Sequence, residues 1–460
     1  MITKISCLGF IGFGEKQSLD LAVPDGSQPG SGLTILVGPN GGGKSTLVEC
    51  FHQLSLANRN VTFSEGKRNK HAGGIVEISI DYDGTTGVLR TLNRGAQTKW
   101  SGPAVPLIYY LPSRRFFNPF FGMMQLDRET YLRNQQNYQF RTNSLDQYTS
   151  RLVDLNLKGA REFNEVLGRI IGEQIEWTID QGDGGQQFVK ITKSDGVYHN
   201  SDGLGEGILS LMFIVDALCG RDDELVVIDE PELSLHPQLQ KRLLQEIMER
   251  SKHRQIVIST HSPNMVSLKA IVNGAMIARV YNDGSGSRIS MIDDESRQFV
   301  KATINNLYNP HVLGLDARSC FFAEDNIIIT EGQEDVILYP EVLEQLEKKY
   351  EIPFFGFGAG GALSIRSVAH MLQVLGFKHI GAIYDGDKEK EFKEFNKVFK
   401  QFGYKAWMIP ANDIRDKKAQ GSKAEVKGLL TDRKELKKQY YGEMSVMFKE
   451  IHEYLTLKEE

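Results

Sequence analysis

A phosphate-binding sequence lies near the start of the chain. The apolar run Leu33–Val37 predicts a buried strand, and it leads directly into a loop with the spacing G-x-x-x-x-G-K-S. In such a loop the glycines turn backbone N–H groups around a phosphate, the lysine reaches the β- and γ-phosphates, and the serine hydroxyl binds Mg²⁺. A helix beginning near Lys44 would direct its positive end at the same anion. The residues predicted to contact ATP here are Gly38, Asn40, Gly41, Gly43, Lys44, Ser45 and Thr46.

An apolar strand that ends in two acids supplies the chemistry that such a loop requires. Leu225–Ile228 predicts a buried strand, and Asp229 and Glu230 follow it directly. The first acid can hold Mg²⁺ together with Ser45, and the second can polarise the water that attacks the γ-phosphate. Acids at a strand end are often only solvated, but this spacing after a phosphate loop is specific. We therefore predict Asp229 as a nucleotide and metal ligand and Glu230 as a catalytic residue.

Two shorter motifs resemble parts of ABC-type ATPases. Ser201 and Gly203 lie in the sequence SDGLGE, which resembles the signature loop that contacts the γ-phosphate of a nucleotide held by another subunit. His261 follows an apolar run and resembles the catalytic switch histidine of the same group. Together with the phosphate loop, these motifs make residues 1–300 similar to an ABC-type ATPase head. The resemblance implies a homodimer or a higher even oligomer, because Lys44 and Ser201 would lie too far apart in one head to hold the same ATP.

The match to ABC-type heads departs from the usual pattern at one position. Such heads supply a glutamine between their two halves, and in this sequence Gln97 and Arg114 are the two candidate substitutes. The segment Glu232–Pro237 resembles the loop that crosses between heads. No apolar run is long enough to span a bilayer, so a transporter is excluded for this chain by itself.

Acidic residues follow two strands of a second, smaller alternating unit. One apolar run ends at Glu331, with Asp335 shortly after it, and another ends at Asp385-Gly-Asp387. The carboxyl ends of parallel strands line the crevice in which α/β folds bind ligands. Carboxylates within a few ångströms repel one another unless a hard cation lies between them, and such oxygen ligands select Mg²⁺ or Mn²⁺. Each motif alone is usually a turn or a strand end, but their joint order predicts a metal site.

The order of these motifs resembles a TOPRIM domain. A strand ending in Glu-Gly, a Gly-Gly bend and a strand ending in Asp-Gly-Asp cover about residues 321–414. In TOPRIM nucleases the glutamate takes part in acid/base chemistry or holds a second metal ion, and the aspartates bind metal. The resemblance therefore implies that Glu331, Asp385 and Asp387 are catalytic metal ligands and that Asp335 is a further ligand.

An ABC-type head followed by a TOPRIM domain on one chain resembles the overcoming-lysogenization-defect (OLD) family of nucleases. The resemblance implies an ATP-regulated DNA endonuclease of anti-phage defence that uses ATP and Mg²⁺ or Mn²⁺. It also implies a defence-system partner protein or partner nucleic acid in some members. The alternative is an ATP-dependent clamp or sensor that binds DNA, or sequesters or activates another protein, with an inactive acidic site. Topoisomerase and primase activities are disfavoured, since no strand-passage domain or zinc module is visible.

The C-terminal stretch adds further candidates. Asp413, Asp416 and Glu425 could extend the metal site, and Lys423 and Lys427 could stabilise a leaving oxygen or hold backbone phosphate. The stretch also concentrates basic residues, as phosphate contacts require. A solvated helix face explains the same pattern equally well. The basic residues are Lys417, Lys418, Lys423, Lys427, Arg433, Lys434, Lys437 and Lys438.

Composition and organisation place these sites in an α/β protein of several domains. The chain has 460 residues, of which 40% are hydrophobic and 25% charged, and its formal net charge is −5, so any nucleic-acid surface must be local. The four scattered cysteines predict neither zinc nor disulfides and fit a reducing cytosol. No signal peptide is evident, and we expect a cytoplasmic protein without membrane contact.

The alternation of strands and helices predicts the domain boundaries. We expect a P-loop ABC-type ATPase domain with a mixed sheet over residues 1–310, including a helical or lid insertion at 113–172. A smaller parallel α/β TOPRIM domain is expected at 321–416. A basic helical tail would follow at 417–460.

Overall fold

The structure is a computed structural model. It describes residues 1–56, 61–93, 95–115, 122–135, 148–182, 185–192, 198–200, 205–304, 315–322, 326–417 and 425–456. The chain divides into two compact units, Met1–Ile289 and Ser290–Glu460. Over the described ranges, no helix is both long and apolar enough to cross a lipid bilayer.

The strands of the first unit form three sheets, and the last strand ends just beyond the unit boundary. They are β1 (Ile2–Leu8), β2 (Gln17–Asp20), β3 (Leu33–Val37), β4 (Glu77–Tyr82), β5 (Thr85–Thr91), β6 (Thr98–Ser101), β7 (Ile108–Leu111), β8 (Glu176–Gln181), β9 (Gln187–Thr192), β10 (Tyr198–Asn200), β11 (Leu225–Asp229), β12 (Ile256–Ser259), β13 (Met276–Asn282) and β14 (Ser287–Met291). The helices are α1 (Lys44–Ser55), α2 (Arg128–Gln135), α3 (Tyr148–Lys158), α4 (Arg161–Ile171), α5 (Glu206–Leu218), α6 (Pro237–Arg250) and α7 (Leu268–Val272).

A mostly parallel sheet forms the centre of the first unit. Its strand order is β14-β13-β3-β12-β11-β7, and the neighbours from β13 to β7 pair in parallel. Strands β3, β7, β11 and β12 are buried along their whole length, which explains why they read as continuous apolar runs. This arrangement brings the end of β3, where the phosphate loop starts, beside the ends of β12 and β11. The expected P-loop ATPase fold with a mixed α/β architecture is confirmed.

Antiparallel sheets and helices complete the first unit. One sheet has the order β2-β1-β4-β5-β6 and another the order β10-β9-β8. The helical segment predicted at 113–172 contains α2, α3 and α4 within its described part. Two of these helices follow one another closely, since α3 ends at Lys158 and α4 begins at Arg161. Gly159, a residue type that commonly ends helices, separates them.

The second unit is built on a smaller parallel sheet, as expected from the sequence. Its strands, in the order β15-β16-β17, are β15 (Asn326–Ile329), β16 (His379–Tyr384) and β17 (Lys405–Met408). Phe354 adds a parallel bridge to Ile328 of β15. The helices are α8 (Asp294–Ile304), α9 (Leu315–Ser319), α10 (Gln333–Gln345), α11 (Ala362–Val374), α12 (Glu389–Phe399) and α13 (Tyr441–Thr456).

The C-terminal stretch differs from the predicted basic helical tail. Its described part contains one α-helix, α13, and the residues before that helix form bridges such as the one between Lys417 and Val426. Met444 and Phe448 of α13 are buried in the core of the second unit, and the Tyr454 hydroxyl donates to Ile380 O at 3.0 Å. The stretch therefore belongs to this core, because its apolar residues are needed to cover the sheet.

Candidate ATP and metal sites

The phosphate loop of the first unit is shaped by its backbone. Gly38 has φ 129°, and a Cβ atom at this position would lie 2.3 Å from Val280 O of β13, so only glycine fits. The Lys44 ammonium is buried and donates to Gly38 O at 2.8 Å and Pro39 O at 2.9 Å. Burial lowers the pKa of Lys44 to about 8, while Glu230, Asp229 and Glu232 act in the opposite direction. The loop thus holds a cation beside acids.

The structure brings Ser45 and Asp229 together as predicted. The Ser45 hydroxyl donates to Asp229 Oδ1 at 3.3 Å, and the Ser259 hydroxyl donates to the same oxygen. Asp229 is fully buried at the end of β11. A hydroxyl and a carboxylate within hydrogen-bonding distance are oxygen donors of the type that Mg²⁺ prefers. The residues present therefore fit a nucleotide-bound magnesium ion.

Glu230 and His261 also meet at this edge of the sheet. His261 Nε2 lies 3.4 Å from Glu230 Oε1, and the backbone N–H of His261 donates to Glu232 Oε1 at 2.6 Å. Burial, together with Lys44, lowers the pKa of His261, which favours the neutral imidazole. Glu230 has φ 50°, an uncommon value for a residue with a side chain, and its N–H donates to Ser259 O at 2.9 Å.

Arg115, which no sequence motif singles out, contacts the backbone of Asp229 and Glu230. Arg115 is buried, and its guanidinium donates to Asp229 O at 2.7 Å and to Glu230 O at 2.9 Å. Of the two candidate substitutes for the ABC glutamine, Arg114 is exposed, and Gln97 forms a β-bridge with Thr62. Arg115 lies just after β7, and the parallel pairing of β7 with β11 brings it to the acids, which no motif in the sequence indicates.

The predicted signature residues Ser201 and Gly203 lie outside the described residues. The helix that follows them is α5, and it begins at Glu206 as expected. The Glu206 carboxylate accepts a hydrogen bond from the Ser234 hydroxyl at 3.2 Å. This contact joins the start of α5 to the loop predicted to cross between heads.

In the second unit, Glu331 and Asp385 meet where β15 and β16 end. The Asp385 N–H donates to Glu331 Oε1 at 2.9 Å. The Glu331 carbonyl accepts from the N–H groups of Gly360 at 3.0 Å and Gly361 at 2.8 Å, so the glycine bend fixes the backbone of Glu331. The predicted convergence of the two strand ends therefore occurs, and the Glu331 side chain points toward Asp385.

Of the acids around this crevice, Asp335 and Asp413 are buried, Glu331 and Asp385 are half-buried, and Asp387 is exposed. Burial raises the pKa of Asp385 to about 8, and repulsion by Glu331, Asp335, Asp413 and Asp387 adds to it. Burial likewise raises the pKa of Asp335 to about 7, although its carboxylate accepts the Gly332 N–H at 2.9 Å. The pKa of Glu331 is raised mainly by burial. We name these five acids, Glu331, Asp335, Asp385, Asp387 and Asp413, the acidic crevice.

Two lysines pair with outer members of the acidic crevice. The Lys388 ammonium donates to Asp387 at 2.7 Å, and the Lys417 ammonium bonds to Asp413. Asp413, which the sequence offers as a candidate to extend the metal site, is buried. These lysines place positive charge beside the outer acids.

The acidic crevice has the donor chemistry of a metal site but no assembled ligand set. Among the described side chains, no three acidic, histidine or cysteine residues are grouped so that they could share one metal ion. Glu331 and Asp335 instead accept nearby backbone N–H groups, and Asp387 and Asp413 bind lysines. The hard oxygen donors fit Mg²⁺ or Mn²⁺, and binding would require their carboxylates to turn inward.

The remaining C-terminal candidates are arranged differently from the prediction. Asp416 accepts from Lys437 at 2.7 Å and from the Gly428 N–H at 2.8 Å, which makes it a structural residue. Glu425 and Lys427 are exposed. Lys423 and Lys418 lie outside the described residues. Of the predicted basic residues, those paired with acids are Lys417, Lys434 and Lys437.

Comparison with protein-family models identifies ATPase domains. Residues 4–165 match the model described as "AAA domain". Residues 101–267 match the model described as "AAA domain, putative AbiEii toxin, Type IV TA system". The two matched ranges span the phosphate loop and the acids Asp229 and Glu230. The first unit thus contains AAA-type ATPase sequence.

Three curated proteins are similar to this chain. The Septu protein PtuA of Bacillus thuringiensis is 26% identical over 332 residues, covering 64% of this chain and 81% of PtuA. Endonuclease GajA of Bacillus cereus (strain VD045) is 26% identical over 174 residues, covering 36% of this chain and 28% of GajA. Old nuclease of Escherichia phage P2 is 28% identical over 120 residues, covering 26% of this chain and 20% of that protein.

The solved structures that resemble this chain include an Smc head domain with an extended coiled coil, derived from Pyrococcus furiosus. It shares 12% identity with a TM-score of 0.45, and the match covers 66% of this chain and 99% of that one. The P-loop fold itself is read from the strand order and the phosphate loop. The three similar proteins place this chain among the relatives of OLD-type nucleases. Its first unit has a P-loop ATPase fold.

Proposed function

We propose that the chain is an ATP-regulated, divalent-metal-dependent DNA endonuclease of anti-phage defence. The observation that carries this proposal is the acidic crevice, in which the Asp385 N–H binds the Glu331 carboxylate and Asp335, Asp387 and Asp413 lie close by. The endonuclease GajA and the Old nuclease are homologues, which supports the reaction class.

The first unit supplies ATP binding and hydrolysis in this proposal. Lys44 and the loop glycines bind the β- and γ-phosphates, and Ser45 and Asp229 hold Mg²⁺. Glu230 polarises the attacking water beside His261, which lies 3.4 Å from it. Ser201 and Gly203 would come from a second copy of the chain, so that heads packed as a homodimer or a higher even oligomer enclose ATP.

The second unit supplies DNA cleavage. Mg²⁺ or Mn²⁺ bound by Glu331, Asp335, Asp385 and Asp387 would generate a nucleophile from water and stabilise the leaving oxygen. A bound metal ion would also offset the burial and the repulsion that raise the pKa values of Glu331, Asp335 and Asp385. Lys388 and Lys417 lie at the outer side of the crevice and are suited to contact the DNA backbone.

Nicking of supercoiled plasmid tests the proposal directly. The wild-type chain should nick with Mg²⁺ or Mn²⁺ and not with EDTA, and Glu331→Gln and Asp385→Asn should each reduce nicking by about 10²-fold or more. Glu389→Gln is the matched control, because Glu389 is an exposed acid on α12 that pairs only with Lys393 in the bonds described. Equal nicking by wild type and Asp385→Asn would refute the nuclease.

A second function is favoured by one comparison. The match to the Septu protein PtuA covers 81% of that protein, whereas the matches to the two nucleases cover 28% and 20% of those proteins. In this alternative, the chain is an ATP-dependent clamp or sensor that binds DNA or controls a partner protein of the defence system. It predicts DNA or protein binding that requires ATP and is lost in Lys44→Ala, with no cleavage under any metal.

A further inference from the structure

A buried arginine joins elements of the ATP site that are distant in sequence. Arg115 Nε donates to the Ser210 hydroxyl on α5 at 2.9 Å. Its Nη1 donates to Pro112 O at 2.7 Å and to Asp229 O at 2.7 Å, and its Nη2 donates to Glu230 O at 2.9 Å. One guanidinium therefore binds the end of β7, the helix α5 and the backbone of both predicted ATPase acids.

These bonds require an arginine. The side chain is 7% exposed, and the acceptors named above are three carbonyls and a hydroxyl in different directions. A guanidinium offers five N–H donors in a fixed planar fork, whereas a lysine ammonium is a compact point charge on a flexible stem. Burial lowers the pKa of Arg115 to about 10, with Asp229, Glu232 and Glu230 acting in the opposite direction, so it stays a cation at neutral pH.

The backbone that Arg115 holds is unusual. Glu230 has φ 50°, which residues with side chains adopt infrequently and at an energetic cost. The two carbonyls bound by Arg115 belong to Asp229 and Glu230 themselves, on either side of the bond whose rotation is φ of Glu230. Arg115 therefore restrains the peptide geometry that directs both acidic side chains into the site.

We propose that Arg115 is a positioning residue that couples helix α5 to Asp229 and Glu230 of the same head. This inference rests on the ATPase part of the proposed function. Helix α5 starts directly after residues 201–205, which resemble the loop that touches a nucleotide held by another subunit. In a pair of heads, Arg115 is then the link inside one chain between the partner's nucleotide and its own acids.

The coupling predicts separable defects in ATP hydrolysis. Arg115→Ala should lower kcat by about 10²-fold, since small displacements of reacting groups have effects of that size. Its KM for ATP should change less than about threefold, because the Lys44 loop is untouched. Ser210→Ala keeps the carbonyl bonds of Arg115 and loses its bond to α5. It should keep most of kcat and lower the Hill coefficient for ATP from above 1 to about 1.

A matched control separates positioning from general stability. Arg254 is also buried and contacts the opposite end of α5, donating to Leu218 O at 3.1 Å and to Glu224 at 3.3 Å. Arg254→Ala should lower the melting temperature about as much as Arg115→Ala but change kcat less than about threefold. Arg115→Lys preserves the charge, should fold, and should recover only part of kcat.

The outcomes distinguish this inference from the proposed function. If the wild-type chain hydrolyses no ATP, the ATPase proposal fails first. If it hydrolyses ATP, the coupling is overturned by any of three results: unchanged kcat in Arg115→Lys, equal losses of kcat in Arg115→Ala and Arg254→Ala, or the same Hill coefficient in Ser210→Ala and wild type.

Discussion

The ATP site and the acidic crevice use the same kind of sheet edge with opposite electrostatics. In the first unit, Lys44 and Arg115 offset the charge of Asp229 and Glu230, and fixed hydrogen bonds hold each group. In the second unit, burial and neighbouring carboxylates raise the pKa values of Glu331, Asp335 and Asp385. Hydrogen bonds within the protein hold the groups of the ATP site in place, whereas the acidic crevice carries negative charge that a bound cation would balance.

The difference follows from what each loop binds. A phosphate loop presents N–H groups and a lysine, which the backbone can orient without a ligand. A carboxylate cluster gains its geometry from the metal, since the oxygens otherwise turn to N–H groups and lysines nearby. In the acidic crevice the Gly332 and Asp385 N–H groups and Lys388 take those positions. Removal of a single side chain from the ATP site should therefore abolish most ATP hydrolysis, whereas the acidic crevice should lose its activity when the metal ion is removed.

The largest effect is expected from a substitution in the ATP site, at Lys44. Lys44→Ala removes the cation that contacts the β- and γ-phosphates, and ATP hydrolysis should fall by about 10²–10³-fold, the usual loss for one charge-stabilising group. Steady-state phosphate release measures it. Lys16→Ala, at an exposed lysine paired with Glu77, should stay within about twofold. ATP hydrolysis retained in Lys44→Ala would show that this loop is not the nucleotide site.

A glycine substitution tests how far the backbone arranges the acidic crevice as well. Gly358 has φ 86°, and a Cβ there would lie 2.7 Å from the backbone of Gly332, so Gly358→Ala should cost about 2 kcal/mol or more. Gly332→Ala, where a Cβ meets open space, should cost less than about 0.5 kcal/mol. Hydrogen exchange of peptides from the second unit reports both. Equal protection in the two variants would contradict the crowding at Gly358.

The raised pKa values predict how metal and pH act on stability. Asp385, with its pKa raised to about 8, and Asp335, with its pKa raised to about 7, hold protons in the folded chain that the unfolded chain releases near pH 4. The free energy of unfolding in EDTA should therefore fall as pH rises from about 5 to about 8, by at most about 1.4 kcal/mol per pH unit for each of the two groups while it stays protonated in the folded chain. Mg²⁺ or Mn²⁺ should remove much of this decline by replacing the protons.

Thermal unfolding across this pH range measures the effect. Asp385→Asn should flatten the decline in EDTA, because it removes the group with the higher pKa. Glu389→Gln, at an exposed surface acid, should keep the wild-type slope. A slope that is the same with EDTA and with Mn²⁺ would mean that the crevice binds no cation.

Local sequence signals predicted the elements that carry both sites. The phosphate loop and α1 follow from the Gly-Lys-Ser pattern. Helix α6 begins at Pro237, a residue type that favours the first helical position, and the side chain of His236 caps it. Strand β16 (His379–Tyr384) ends directly before Asp385, where the apolar run of the sequence stops.

Features that depend on contacts between distant segments were missed. The C-terminal stretch is rich in Lys and Glu, which favours helix, but Leu429, Leu430 and Leu436 are buried against the second unit's sheet and hold an irregular chain there. Arg115 gained its role from the pairing of β7 with β11, which residue spacing does not reveal. The sequence predicted the principal residues of each site, such as Lys44 with Asp229 and Glu331 with Asp385, but it did not predict Arg115, which holds the backbone of the ATP site.

The smallest effect is expected on plasmid nicking when Asp413, a member of the acidic crevice, is compared with Asp416, an acid outside it. Asp413 and Asp416 were equal candidates in the sequence, but Asp413 is buried beside Asp385, whereas Asp416 binds Lys437 and the Gly428 N–H. Asp413→Asn should reduce plasmid nicking by about tenfold, a typical loss for a metal-supporting residue. Asp416→Asn should change it less than about twofold, because its partners are structural and partly exposed. A stronger loss in Asp416→Asn would move the metal site toward the C-terminal stretch and away from the ends of β15 and β16.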